Sequence, residues 1–164
     1  GARHLAELDD ENYTSLEGLG IAVFDAESQN NIPIFGEYFK AMDKLVFAVF
    51  DKQTPEDLLK IKATTTACLE SSYKGFEELV LAETDKDALE KFALELSSTD
   101  AWPDHLSHCK PSSSSSPEEI KKSLLHYFRW SKGAKTCAAL LASCSLSEMP
   151  ATIKSNLSSI SMLC

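Results

Sequence analysis

Three kinds of side chain in this sequence stand where they could do chemistry: acids after apolar runs, lysines beside a glycine, and a His/Cys cluster. Asp51 closes the run Lys44-Leu45-Val46-Phe47-Ala48-Val49-Phe50, and Asp25 closes Gly20-Ile21-Ala22-Val23-Phe24. A carboxylate at the carboxyl end of a buried strand suits a hard divalent cation, which polarises a phosphate once bound. The same position equally suits the phosphoacceptor of a receiver-type domain, or an Asp that merely starts a turn. Glu77 and Glu78 open a helical stretch after Tyr73-Lys74-Gly75-Phe76, and complementing the positive end of that helix is the plainer account of them. Lys132 and Lys135 flank Gly133 at another helix start, where cations oppose the dipole; a substrate phosphate or a solvated basic face explains them. His105-x-x-His108-Cys109 has the residue types of a metal site but no second ligand pair at zinc spacing. Cys137 and Cys144, seven apart in an alanine-rich stretch, read as small core residues. No Gly-rich phosphate loop is present, so nucleotide binding of the Walker type is excluded.

The elements that would position these residues alternate between strand and helix. Two apolar runs, 20–25 and 44–51, have the pattern of strands buried on both faces, and the β-branched stretch 64–69 reads as a weaker third strand. Helices are expected over 32–42, from Thr54-Pro55-Glu56-Asp57 to about 62, over 76–83 and over 85–96. Residues 2–8 read as the tail of a helix already under way. Residues 100–117, with two prolines and five consecutive serines, read as a loop and the most mobile internal segment. Three helices follow, from Pro117, over 134–144, and from Met149-Pro150 to 160. Strand–helix–strand order predicts a parallel sheet with crossover helices, whose working edge lies at the carboxyl ends of the strands. Asp25, Asp51 and Glu77 are therefore expected near one sheet edge.

The composition bounds the class. A chain of 164 residues is enough for one domain, read as an α/β core over 1–110 and a helical part over 111–164. Its net charge of −9 is unevenly spread: 10 basic against 22 acidic residues up to position 110, then 6 against 3. A polyanion would therefore be met by the last third of the chain or through bound cations. No apolar run approaches a membrane span, and the opening residues have no signal-peptide layout. Five cysteines in no regular framework fit a reducing, cytoplasmic compartment.

Leu19-Gly20-Ile21-Ala22-Val23-Phe24-Asp25, Lys44-Leu45-Val46-Phe47-Ala48-Val49-Phe50-Asp51-Lys52, Gly75-Phe76-Glu77-Glu78-Leu79, Lys132-Gly133 and Glu148-Met149-Pro150 follow the motif order of Toprim nuclease domains. The chain resembles, over most of its length, the C-terminal Toprim domain of overcoming-lysogenization-defect (OLD) family ATP-dependent endonucleases. The resemblance implies a Toprim-like parallel sheet flanked by helices, with a C-terminal helical extension. It also implies Mg²⁺- or Mn²⁺-dependent cleavage of DNA by two metals, beside an ATPase domain of the same parent chain, in some members for anti-phage defence. Asp51 matches the first acid of the family's Asp-x-Asp motif and Glu77 the acid opening the later helix, both as metal ligands. Lys132 matches the lysine that stabilises the transition-state phosphate, with Lys135 the weaker candidate.

Two departures stand out. The family's Gly-x-x-Glu after its opening strand has no counterpart, and Gln53 replaces the second Asp. The chain is thus expected to be an N-terminally truncated domain that binds metal poorly by itself. The competing expectation is a non-catalytic Toprim-like domain kept for homodimerisation or partner contact. A phosphorylated receiver domain leaves the helices after Pro117 unexplained.

Overall fold

The structure, a computed structural model, describes residue 18 and residues 20–99, 102–131 and 133–161. The helix expected over 2–8 and the side chain of Lys132 lie outside the described residues. The chain separates into two compact units, Gly1–Gly75 with Ser155–Cys164, and Phe76–Lys154.

In the first unit, α1 (Ile32–Lys40) follows a 3-10 turn, Gln29–Asn31, whose Ser28 cap accepts a hydrogen bond from the Asn30 amide at 3.3 Å. The apolar run before Asp51 forms β1 (Phe47–Phe50). α2 (Pro55–Thr64) starts where Thr54 accepts from the Asp57 amide at 3.2 Å, with Pro55 in the first turn. The Thr54 hydroxyl also donates to Asp57, and with Lys60 it holds that carboxyl below its usual range. β2 (Ala67–Glu70) then pairs with β1 in parallel, Phe47 opposite Ala67 and Phe50 opposite Glu70. Alternation along β1 turns Ala48 and Phe50 inward onto Ile61, with Ile32, Leu58 and Cys68 around them. α1 and α2 approach closely at Gly36, where a Cβ would lie 2.6 Å from the Thr64 carbonyl oxygen.

Two expectations are corrected here. Residues 21–26 form no strand. Phe24 instead rests its ring 4.5 Å from Phe35 and 5.5 Å from Phe39. The rings meet, yet the run stays largely in water, with Val23 82 % and Phe24 54 % exposed, so hydrophobicity alone did not decide whether it would pair as a strand. β1 is also not buried on both faces, because Val49 is 56 % exposed. Of the stretch 64–69 only Ala67, Cys68 and Leu69 enter the sheet, and its three threonines stay outside β2. Thr64 and Thr65 first turn their hydroxyls back to the Ile61 carbonyl, at 3.1 and 2.9 Å, which suits a helix end.

The second unit is helical: α3 (Phe76–Glu83), α4 (Lys86–Ser98), α5 (Pro117–Trp130), α6 (Ala134–Ser143) and the start of α7 (Ala151–Ser161). α5 opens with a capping box in which Ser116 and Glu119 exchange bonds, 3.4 Å to the Glu119 amide and 2.7 Å back from the Ser116 amide. The Ser116 amide and hydroxyl both donate to the Glu119 carboxylate and hold it below its usual range. α7 is capped from a distance: the Thr152 amide and hydroxyl both donate to the Glu83 carboxylate at 2.8 Å. Leu89, Ile120, Leu124, Phe128 and Leu140 form the interior.

The connection before α5 is more than the bare mobile loop expected. It contains a 3-10 turn, Asp104–Cys109, and buries Trp102, whose indole N–H donates to the Leu106 carbonyl at 3.0 Å. A single buried indole supplies the anchoring that the serines cannot. The described residues are thus mixed α/β and mostly helical, with a two-stranded parallel sheet flanked by helices.

Candidate functional site

Asp51 follows β1 directly and stands at the carboxyl end of the sheet, half-buried. The register puts Glu70, the last residue of β2, beside it at the same edge. Gln53 joins the two acids. Its Nε2 donates to Asp51 Oδ1 at 2.7 Å and to the Asp51 carbonyl at 2.9 Å, and its backbone N–H donates to Glu70 Oε1 at 2.8 Å. The edge is held beyond the strands by Ser71 N–H to the Phe50 carbonyl at 2.8 Å and Lys52 N–H to the Tyr73 carbonyl at 2.7 Å. Hydrogen bonds thus hold two carboxylates and an amide together at one strand edge, and the carboxylates are hard oxygen donors of the kind a cation takes.

Asp25 has no part in this edge, because the strand expected to carry it is not formed. Its Oδ1 accepts from the Glu27 amide at 2.8 Å, closing a turn in which Glu27 has φ of 60°. Glu70 was missed by reading the sequence, although its signal was present: like Asp51, it follows an apolar and β-branched run.

Glu77 lies in the second unit, at the start of α3. Its carboxyl lies against Gly133, so close that an added Cβ there would overlap Glu77 Oε1. Gly133 also has φ of +62°, the left-handed region that glycine enters without cost, and it caps α6. The backbone conformation thus favours glycine here, and any side chain would also displace the Glu77 carboxyl. One turn further along α6, Cys137 is fully buried. Burial pushes its thiol up to about 12, and the Glu77 charge adds to the effect. A thiol so disposed is an inert core group, not a nucleophile. Lys135 is exposed in the first turn of α6. Glu78 is exposed as well, with Arg129 at 3.9 Å.

The His105, His108 and Cys109 group is put to other uses. The His105 ring meets Trp130 edge-on at 5.9 Å, and the Cys109 thiol donates to the Leu106 carbonyl. Among the described residues no group of three or more His, Cys, Asp and Glu side chains could hold a metal, and no helix is long and apolar enough to cross a membrane. The edge at Asp51 offers two carboxylates, Asp51 and Glu70, each accepting a hydrogen bond from Gln53. Compared with known proteins, no family model, no curated protein and no solved structure matches this chain at a significant level.

Proposed function

We infer that this chain is the nuclease module of a larger cytoplasmic ATPase–nuclease, a Toprim-like domain that hydrolyses phosphodiester bonds in DNA. The observation that carries the reading is the pair Asp51 and Glu70 at the carboxyl ends of adjacent parallel strands, where open α/β sheets bind their ligands. The two carboxylates are hard oxygen donors of the kind that take Mg²⁺ or Mn²⁺. Such an ion, when bound, supplies Lewis-acid polarisation of the scissile phosphate. Asp51 and Glu70 would hold it, and Gln53 orients both carboxylates through its side-chain and backbone N–H groups. Gln53 brings no charge, so a second divalent ion requires carboxylates beyond this strand edge. Glu77 as a ligand and Lys132 as the transition-state cation keep the roles that the resemblance implies.

Plasmid cleavage by the full parent protein tests this reading. Asp51→Asn and Glu70→Gln are each expected to lower the rate by at least about 100-fold, the upper end of what losing a ligand's supporting partner costs. EDTA should abolish cleavage, and the 164-residue chain alone should cleave weakly or not at all. Full activity in Asp51→Asn ends the reading. One observation favours the second reading, a non-catalytic domain for homodimer or partner contact: Gln53 already satisfies Asp51 Oδ1 with its own amide. No cleavage by the parent at any metal concentration, together with a stable dimer, would establish that alternative.

A further inference from the structure

The second unit carries a surface with chemistry unlike that of the sheet edge. Along α5, Lys122, His126, Arg129 and Trp130 are all exposed. Their spacing of four, three and one residues keeps them on one side of the helix, over about 12 Å of its axis. Trp130 is 48 % exposed, yet its ring is braced: Tyr127 lies 5.4 Å away and His105 meets it edge-on. Tyr127 is itself stacked on the buried Trp102 at 5.1 Å. An indole held in place while half in water contributes little to the core, but its ordering cost on binding is already met. Beside it the Arg129 side chain is 65 % exposed, and Glu78 at 3.9 Å is too far to take a hydrogen bond from it.

We propose that this face binds single-stranded nucleic acid, one base stacking on the Trp130 indole, with His105 at the ring's edge, while Lys122 and Arg129 contact backbone phosphates. Two properties of the face must be matched together, a bare aromatic surface and flanking cations. A single strand offers unpaired base faces and phosphates at the same spacing. A duplex hides its base faces, and an acidic peptide would use the cations but leave the indole in water. The distribution of charge agrees, since residues 111–164 carry 6 basic against 3 acidic residues in a chain of net charge −9. Glu78 and Glu118 border the face and limit its affinity for a bare polyanion. The inference deepens the nuclease reading by naming an unpaired strand as the bound form of the substrate, yet the binding it asserts needs neither metal nor cleavage.

The test is a titration of the full chain, in EDTA, with a labelled oligo(dT) of about 12 nucleotides, a length typical of single-strand sites. Anisotropy and tryptophan quenching are read together. Oligo(dT) is expected to bind more tightly than a duplex of equal length or a polyglutamate of equal charge, and to quench the exposed indole. Trp130→Ala should weaken binding roughly tenfold or more, and Trp130→Phe, which keeps an aromatic face, should recover most of it. Arg129→Gln should reduce the slope of log K against log salt by about 0.7. Absent binding, equal binding of polyglutamate or duplex, or an unaltered affinity in Trp130→Ala at unchanged melting temperature would each overturn the proposal. Strand binding that survives while the parent never cleaves DNA would refute the nuclease reading and leave this one standing.

Discussion

In the second unit Val80, Ala93, Leu124, Phe128, Cys137 and Leu140 have lost all contact with solvent, whereas the buried cluster of the first unit is Ala48, Phe50 and Ile61. The first unit leaves Val23, Ile34, Leu45, Val49 and Leu59 largely in water, while the second exposes chiefly Phe76 and Trp130. Among the described residues, the carboxylate edge thus stands in the unit with the smaller buried core. Cohesion and chemistry need not coincide: groups that must admit a ligand gain from a unit that opens locally, and a tightly packed helical core tolerates no such opening.

The largest expected effect falls on the second core. Phe128→Ala should cost about 3–5 kcal/mol, because a fully buried ring leaves a cavity that a close-packed interior cannot fill. Denaturant titration at constant m-value checks it, and a loss below ~1 kcal/mol would mean that the packing contrast between the units is false. Next comes Gly133→Ala, expected to cost about 2 kcal/mol or more from the left-handed backbone and the displaced Glu77 side chain. Its readout is twofold, a lowered melting temperature and easier modification of the Cys137 thiol as the Glu77 contact loosens. The smallest effect belongs to the first unit: Val49→Thr, on the open side of β1, should change stability by no more than about 0.5 kcal/mol. A larger loss would reveal that this side of the sheet is covered in solution.

Local signals in the sequence carried far into the structure. Thr54-Pro55-Glu56-Asp57 and Ser116-Pro117 start helices because caps act through neighbours only a few residues away. The apolar run ending at Asp51 became a strand for a similar reason, since its turn signals and side chains agree. The run ending at Asp25 failed, because whether an apolar stretch pairs or packs depends on Phe35 and Phe39, outside the run itself. At the candidate edge, Asp51 was visible from its position, but its neighbour Glu70 depended on strand register, and the bridging role of Gln53 on side-chain geometry. Trp130 was equally hidden. Tyr127, Phe128 and Trp130 look alike as aromatic residues at a helix end, and only packing decides which one faces water.

The clamp between Glu83 and Thr152 spans 69 residues of chain. Closing a flexible loop of that length carries an entropic cost of about 4 kcal/mol from the length-dependent part alone. The contact is therefore best made late, after α4, α5 and α6 have shortened the path between its ends. During synthesis, α3 must wait for this partner of its final carboxylate until Thr152 has left the ribosome. The second unit is therefore completed at its last helix, and a chain that ends before Thr152 would hold the same central helices without the bond that closes them.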